Sequence, residues 1–288
     1  MANPLVSINI PTLDSARTLE LCLSAVSKQT YENVETVLID SYSSDETVAI
    51  AGKFGARIVL GRGLLMQRMT GIRASLGEFL LLLDSDQVAP PTLIESCVRK
   101  MQSDPSLGAL IVPEVTISAN HGTISAIQRT YHTDLQYDPH PLYGTALPRF
   151  FRTHLLKAVR PPRRELGYFD HAWIYRRSLD LGAKIGFVQE RISHIESNST
   201  YNVMRKFSRF YGSYLVPALL EDWRLVIGKT LPRRSVLMQA GDLTLKQQID
   251  QFALYGLKAF GTAIGLFSSI LRKSGDSQSF EIETLANS

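Results

Sequence analysis

Short apolar runs alternate with amphipathic segments through the first hundred residues. Runs typical of buried strands are Leu5–Ile10, Glu35–Ile39, Ala56–Leu60 and Phe79–Leu83, and helical spacing marks Arg17–Lys28, Asp45–Phe54, Leu64–Ser75 and Pro91–Met101. Strand and helix in regular alternation predict an α/β fold with a mostly parallel central sheet that helices cover on both faces. Because Leu80–Leu83 is apolar without interruption, we expect it to be a central strand of that sheet.

The pattern loosens after Asp104 and becomes helical towards the end. Further strands are predicted at Ala109–Val115, Ala146–Phe151 and Lys184–Val188, the last being the final strand, and helices at Ile124–Leu135, Thr153–Val159 and Ala172–Leu181. Gly182 follows the last of these helices, where a glycine commonly ends a helix. Beyond Glu196 we expect helices, interrupted at Leu231–Arg234, and a polar, flexible tail from Gly275.

Composition narrows the possible partners. The chain has 288 residues, of which 44% are hydrophobic, enough for one sizeable core with an appendage. Its net charge of +4 is too small to indicate nucleic-acid binding, but it suits contact with anionic headgroups or phosphorylated ligands. Cys22 and Cys97 lie in apolar helical patterns, so we expect buried thiols in a reducing compartment. With no signal peptide recognisable, we expect a cytoplasmic protein.

Two carboxylates follow the leucine strand directly, at Asp84 and Asp86. Ligands of open parallel sheets bind outside the carboxyl ends of the strands, and alternation would turn both aspartates to one side. Carboxylates held so close repel each other unless a cation lies between them. Capture of Mg²⁺ or Mn²⁺ on a diphosphate uses this arrangement. The alternative is structural, with these aspartates capping the next helix or forming a turn.

Six segments of the chain resemble, in order, the family 2 inverting glycosyltransferases with the GT-A fold. They are Ile8–Asp14, Val37–Thr47, Gln67–Gly71, Leu83–Asp86, Gly167–Asp170 and Phe187–His194. The resemblance implies a GT-A catalytic domain over residues 1–198, whose Rossmann-like nucleotide-binding half ends near residue 112 and is followed by an acceptor half. Residues 199–274 would then form a helical C-terminal extension, and residues 275–288 the tail.

The resemblance also assigns roles at the donor site. It implies that the nucleotide is lined by Pro11, Thr12, Asp14, Asp40, Arg68, Asp84 and Ser85, and that the metal ion, Mn²⁺ or Mg²⁺, is held by Asp84, Asp86 and His194. A carboxylate such as Asp40 accepts hydrogen bonds from N–H groups of uracil or guanine. Arg68 would offset pyrophosphate charge or contact the base, the alternative being a solvated helix face. The alternative for His194 is a surface histidine.

An inverting transfer needs one base that removes the proton of the acceptor hydroxyl. The family usually offers Glu-Asp before an amphipathic helix, and this chain has Asp170 and His171 there. The resemblance makes Asp170 the first choice for the base, ahead of His171 and Glu165. The alternative for Asp170 is a helix N-cap.

The C-terminal third carries two further signals. Arg205–Tyr214 interleaves cations and aromatics, and either covers the diphosphate and the acceptor entrance or is a solvated helix with a packed aromatic face. Phe252–Leu271 is apolar for about the width of a bilayer, but a polar stripe runs along it: Lys258, Thr262, Gly265, Ser269 and Lys273. A helix lying in the membrane interface accepts such a stripe. Interfacial association is therefore favoured over packing within the chain or in a homodimer, and both over a spanning helix.

The resemblance, together with these patterns, implies an inverting, metal-dependent glycosyltransferase that moves a sugar from a UDP- or GDP-sugar to a hydroxyl of a lipid-linked saccharide or glycolipid. We expect it to be peripheral on the inner face of the cell membrane and not to bind nucleic acid. One alternative is a polyprenyl-phosphate glycosyltransferase, whose ionised acceptor oxygen needs no base. Another is a non-catalytic nucleotide-binding membrane partner. Nucleotidyltransferases and dinucleotide oxidoreductases need a glycine-rich loop after the first strand, and Pro11–Arg17 does not supply one.

Overall fold

The structure is a computed structural model that describes residues 3–117, 147–195, 200–230 and 245–273. The helix predicted at Ile124–Leu135, the break at Leu231–Arg234 and the tail from Gly275 lie outside the described residues. The strands are β1 (Val6–Thr12), β2 (Val34–Asp40), β3 (Arg57–Leu60), β4 (Phe79–Leu82), β5 (Gln87–Val88), β6 (Leu107–Ile111), β7 (Glu114–Ile117), β8 (Pro148–Arg152), β9 (Lys184–Phe187) and β10 (Ile192–Ile195).

The helices flank these strands and fill the C-terminal part. They are α1 (Ala16–Ser27), α2 (Thr47–Lys53), α3 (Leu64–Ala74), α4 (Leu93–Ser103), α5 (Thr153–Lys157), α6 (Asp170–Asp180), α7 (Thr200–Phe207), α8 (Leu215–Thr230) and α9 (Leu245–Lys273). A 3₁₀ turn, Gly167–Phe169, precedes α6, and a π-helical turn, Ser208–Gly212, follows α7.

A seven-stranded sheet forms the centre, in the order β3-β2-β1-β4-β8-β6-β9. Strands β3, β2, β1 and β4 run parallel, and β9 is parallel to β6. Strand β8 is antiparallel to both of its neighbours, β4 and β6. The mixed α/β fold with a mostly parallel sheet is therefore confirmed. The chain reverses its direction of travel across the sheet between β1 and β4, which is where ligands of open α/β sheets bind.

Strand β4 lies in the core, as its apolar sequence predicts. All four of its residues, Phe79–Leu82, are buried. Leu81 packs with α1 and α4 on one face of the sheet, whereas Leu80 and Leu82 pack with α3 and α6 on the other. A strand covered on both faces must be apolar at every position, because successive side chains point to opposite faces.

A second, three-stranded sheet in the order β5-β10-β7 carries part of the site. The prediction that Lys184–Val188 is the final strand is wrong, because β10 follows it and pairs with β5 and β7. The single strand predicted at Ala109–Val115 is also wrong. It divides into β6 and β7 at Val112 and Pro113, since proline has no N–H to continue a ladder.

Local predictions at the glycine and the cysteines are confirmed. Helix α6 ends at Asp180, and Gly182 takes a positive φ of 82° two residues later. Cys22 and Cys97 are free, buried thiols. Burial raises the pKa of both thiols far above their ordinary value, so they stay protonated and act as core residues.

Helix α9 packs on α7 and the π-helical turn through small residues. A Cβ atom on Gly265 would collide with the carbonyl oxygen of Ser208, and one on Gly261 would lie 2.6 Å from the carbonyl oxygen of Met204. The side of α9 that carries Gly261 and Gly265 thus faces the protein, while Phe252, Phe260 and Phe267 are exposed. In the part of the chain that the structure describes, no helix is both long enough and apolar enough to cross a membrane.

Candidate active site

Hydrogen bonds tie together the loops that leave β1 and β2. Asp40, at the end of β2, is 1% exposed. Its Oδ1 accepts hydrogen bonds from Thr12 Oγ1 at 3.0 Å and Ser43 Oγ at 2.5 Å, and its Oδ2 accepts one from the Ser43 N–H at 2.8 Å. The carboxylate predicted to contact the base therefore anchors the loop that follows it.

Asp14 fastens the same loop from the end of β1. Its Oδ1 accepts hydrogen bonds from the Ser44 N–H at 2.8 Å and from Ser44 Oγ at 3.1 Å, and its own N–H donates to Ser43 Oγ at 2.9 Å. Asp14 is exposed, whereas Pro11 and Thr12 are buried beneath it. Of the three residues near the end of β1 that were predicted to line the nucleotide, Asp14 is thus the accessible one, and it lies in the loop after the strand.

A histidine between two carboxylates forms a second cluster, where β5, β10 and β7 meet. His194 Nε2 lies 3.2 Å from Asp86 Oδ2, and His194 Nδ1 lies 3.2 Å from Glu114 Oε2. The small sheet brings them together, because His194 on β10 is paired in register with Gln87, next to Asp86. The predicted metal residues Asp86 and His194 therefore do come into contact.

The donor atoms of this corner suit a divalent cation, although they are too few to surround the ion without other ligands. Within the described ranges, no group of three or more His, Cys, Asp or Glu side chains has a geometry that could hold a metal ion. Two protein ligands suffice for Mg²⁺ or Mn²⁺ when substrate phosphates and water complete the shell. A carboxylate on the second ring nitrogen, here Glu114, is the usual outer partner of a metal-binding histidine.

A buried chain of charges lies next to this corner. Arg68, on α3, is 2% exposed and forms ion pairs with Asp84 through Nη2 and with Asp170 through Nε. Arg149, on β8, forms ion pairs with Glu114 and with Asp84, whose Oδ2 lies 3.2 Å from Nη2. Four carboxylates (Asp84, Asp86, Glu114 and Asp170) against two guanidinium groups leave two negative charges before any charge on the histidines, which a divalent ion would balance.

The arginines keep the two inner aspartates ionised. Burial opposes the charged form of Asp84, but Arg68 and Arg149 outweigh it and hold the pKa of Asp84 well below its ordinary value. Burial likewise opposes the charge on Asp170, and Arg68 again brings about a net lowering of its pKa. Both carboxylates are therefore proton acceptors of low basicity in this state.

His171 is buried in its neutral form beside the same arginines. Burial, with further contributions from Arg68 and Arg149, lowers the pKa of His171 to about 3. Nε2 lies 3.3 Å from Arg149 Nη1, which can only donate, so Nε2 accepts and the ring proton is on Nδ1. Nδ1 has no hydrogen-bond partner among the described residues.

Glu165 lies at the start of α3. Its carboxylate accepts hydrogen bonds from the N–H groups of Leu65 at 2.9 Å, Met66 at 3.1 Å and Gly167 at 2.9 Å. Burial is the largest influence on this group and raises the pKa of Glu165. Glu165, the third candidate for the base after Asp170 and His171, thus accepts hydrogen bonds from backbone N–H groups at a helix N-terminus.

Two structural alternatives from the sequence do not apply, and a third applies only in part. Arg68 is buried, so its interpretation as a solvated helix face is wrong. Phe169 holds the N-cap position of α6 and Asp170 is the first residue of the helix, so Asp170 is not its N-cap. Thr92, not an aspartate, precedes α4, so neither Asp84 nor Asp86 caps that helix. The other half of that alternative holds, because the segment does form a turn, in which the Gln87 N–H donates to the Asp84 carbonyl oxygen at 3.1 Å. Ser85 donates a hydrogen bond to Ser15 Oγ at 3.0 Å and links the acidic turn to the start of α1.

Arg149 and Glu114 belong to this site but were not identified from the sequence. Arg149 interrupts an apolar strand, and Glu114 follows Pro113 at the end of another. A charged residue inside a run that should be buried requires a charged partner. That rule marks each residue as unusual, but it does not say that the two lie side by side.

Known proteins share this architecture. The family model described as Glycosyl transferase family 2 matches residues 7–181. A Mycobacterium bovis protein named PGL/p-HBAD biosynthesis glycosyltransferase is 38% identical over 94 residues, covering 30% of this chain and 37% of that protein. The chain thus spans little more than a third of this relative. The putative glycosyltransferase EpsH of Bacillus subtilis is 23% identical over 235 residues, covering 75% of this chain and 67% of EpsH.

Solved structures show the same fold. The mannosyltransferase PcManGT of Pyrobaculum calidifontis, in complex with GDP-Man and Mn²⁺, has a TM-score of 0.59 at 15% identity and covers 96% of this chain and 89% of its own. S. aureus TarS 1–349, in complex with UDP-GlcNAc, has a TM-score of 0.55 at 14% identity, covering 96% and 94%. The fold is the GT-A fold that the resemblance implies. Since the family model spans more than half of the residues, the chain belongs to glycosyl transferase family 2.

Proposed function

We propose that the protein is an inverting, metal-dependent glycosyltransferase that uses a UDP- or GDP-sugar and acts on a hydroxyl of a lipid-linked saccharide or glycolipid at a membrane surface. The observation that carries the proposal is the contact of Asp86 with His194 at 3.2 Å, backed by Glu114, beside the ends of β1 and β4. A nucleotide-sugar donor is also supported by the GDP-Man and UDP-GlcNAc bound to similar folds.

Asp86 and His194 are the residues that would hold Mn²⁺ or Mg²⁺. A divalent ion there supplies charge neutralisation for the departing diphosphate. Arg68 and Arg149 compensate much of the buried negative charge from within the protein, and they keep Asp84 from facing the phosphates uncompensated. Mn²⁺ is favoured by the nitrogen donor of His194 and by its presence in similar structures.

The proposed base is Asp170. Its Oδ2 pairs with Arg68, which leaves Oδ1 to take the proton of the acceptor hydroxyl. The hydroxyl oxygen then forms a bond to the anomeric carbon, while the bond from that carbon to the diphosphate oxygen breaks and its electron pair remains on the diphosphate. A carboxylate of low pKa can serve because the proton leaves as the new bond forms, when the hydroxyl has become acidic.

The membrane surface is supported by the outward face of α9. Its phenylalanines are exposed, while its small residues pack on α7 and the π-helical turn. Trp223 on α8 is exposed as well. Helices that bind bilayer surfaces present this kind of apolar face. An acceptor with a lipid anchor would be delivered along that face.

Titration calorimetry with UDP and GDP, with and without Mn²⁺, tests the proposal, followed by a transfer assay on the full chain. We expect one nucleotide to bind, and Mn²⁺ to tighten its binding by at least tenfold. Asp86→Asn should remove most of the effect of Mn²⁺ because it removes a charged ligand. Asp170→Asn should bind nucleotide like the wild type and lose transfer by about a hundredfold or more.

Different results would contradict different parts of the proposal. Failure of both nucleotides to bind with Mn²⁺ would remove the donor assignment. Full turnover by Asp170→Asn would exclude it as the base and favour the polyprenyl-phosphate acceptor, which needs none. Nucleotide binding without any turnover of sugar nucleotides would favour the non-catalytic partner.

A further inference from the structure

The backbone of Tyr42 adopts the left-handed conformation. Its φ is 60°, and Asp14, with φ 48°, is the other non-glycine residue with positive φ in the described ranges. Aspartate tolerates this region because its short side chain bonds locally. For a bulky aromatic residue it is an unfavourable conformation, and such conformations cluster at ligand sites.

Hydrogen bonds of the two residues that follow Tyr42 hold it in this conformation. Asp40 accepts the N–H of Ser43 at 2.8 Å, and Asp14 accepts the N–H of Ser44 at 2.8 Å. The loop cannot relax at Tyr42 without breaking this set of bonds. The fold therefore presents the tyrosine ring in a fixed position.

The ring is displayed at the ligand edge of the sheet. Tyr42 is 54% exposed, although it follows directly on a buried strand. The Cζ atom of Arg62 lies 4.6 Å from the ring centroid. Arg62 comes from the end of β3, which is joined to β2 by the hydrogen bond from the Gly61 N–H to the Asp40 carbonyl at 3.0 Å. One face of the ring thus carries a cation that fixes its orientation.

We propose that the other face of the Tyr42 ring stacks on the nucleobase of the donor, and that Tyr42 determines how firmly the base is held. The inference rests on the proposed nucleotide-sugar donor. Any nucleobase offers a flat π-face, so stacking secures the base without hydrogen bonds to Asp40, whose oxygens already accept hydrogen bonds within the protein. A ring that served packing alone would lie in the core and would not require a left-handed backbone.

Three ligands and two main variants test the stacking. UDP, GDP and pyrophosphate, each with Mn²⁺, are titrated into the wild type, Tyr42→Asn and Tyr42→Phe. Asparagine tolerates the left-handed backbone but has no ring, so we expect the favoured nucleotide to bind about tenfold more weakly to Tyr42→Asn. Tyr42→Phe keeps the ring and should bind within about twofold of the wild type. Pyrophosphate has no base, so all three proteins should bind it equally.

The outcomes separate this inference from the proposed function. Wild-type affinity of Tyr42→Asn for the nucleotide, or an equal loss for pyrophosphate, would overturn the stacking role and leave the donor assignment intact. Binding of pyrophosphate but of neither nucleotide by the wild type would overturn both. Should Tyr42→Asn melt at a lower temperature than the wild type, Tyr42→Gly, which takes φ 60° without strain, decides with the same titrations.

Discussion

The neutral burial of His171 has a consequence for stability. In the unfolded chain a histidine titrates near its ordinary pKa of about 6.5, whereas burial lowers the pKa of His171 to about 3 in the folded protein. Between these values the unfolded state binds more protons, so stability falls as the pH falls. We expect this residue to cost about 2 kcal/mol of unfolding free energy between about pH 7.5 and about pH 5. Urea unfolding at both pH values measures the difference.

A matched pair of variants isolates that contribution. His171→Gln keeps an acceptor for Arg149 but cannot titrate. Its loss of unfolding free energy between the two pH values should therefore be smaller than that of the wild type by about 2 kcal/mol. His154→Gln removes an exposed histidine on α5 and should follow the wild type. An identical pH dependence for His171→Gln and the wild type would show that His171 does not titrate between the two states in this way.

Individual residues show which contacts of the site could be predicted from the sequence and which could not. The family resemblance assigned Asp86 and His194 to one metal site, and they are in contact. It did not predict that Arg68 pairs with Asp84 and Asp170. The sequence did not show that Asp40 is bonded to Thr12 and Ser43, because a loop carboxylate and a ligand-binding carboxylate look alike in one dimension. Nor did it single out Arg149, whose partners come from three different elements.

The start of α3 depends on Glu165, which lies about a hundred residues later in the sequence. Glu165 satisfies the N–H groups of Leu65 and Met66 and places a negative charge at the positive end of the helix. A Cβ on Gly63 would collide with this carboxylate, so the glycine before α3 leaves room for it. Since α3 also carries Arg68, this distant cap helps to position the charge network.

Glu165→Ala should therefore lower stability by about 2 kcal/mol, because buried backbone donors lose a charged acceptor. Chemical unfolding measures the loss, with Glu20→Ala, an exposed residue on α1, as the control that should change little. A variant that kept full stability but lost transfer would instead identify Glu165 as a catalytic base.

The strands of the large sheet could be predicted because apolar residues recur regularly along them. The strands of the small sheet could not be predicted in this way. Strand β5 has two residues, Gln87 and Val88, and β10 has four with mixed polarity. Neither is long enough, or regular enough in polarity, to be detected from the sequence. Both form through pairing within the small sheet, β5 with β10 and β10 also with β7. The part of the site that depends on this pairing, the contact of His194 with Asp86, could be expected only from the family resemblance.

At the scale of the whole molecule, variants of α9 can decide whether its exposed apolar face binds a membrane or a second copy of the chain. Replacing three exposed residues by serine (Phe252, Phe260 and Phe267) removes apolar area without touching the site. Each residue contributes on the order of 1 kcal/mol when partly buried in an interface, so we expect binding to vesicles of anionic phospholipid to weaken by at least tenfold. Nucleotide affinity should not change. Co-sedimentation with vesicles measures the binding.

The control is a second triple serine variant at exposed leucines elsewhere on the molecule: Leu21, Leu60 and Leu76. It removes apolar surface from α1, β3 and the loop before β4 and leaves α9 unchanged, so vesicle binding should stay at the wild-type level. If the wild type does not bind vesicles but sediments as a dimer that the α9 variant converts to a monomer, the apolar face joins two subunits and the membrane role is excluded. The lipid-linked acceptor would then lose its structural support, while the donor site, which lies on the sheet edge, would keep its own.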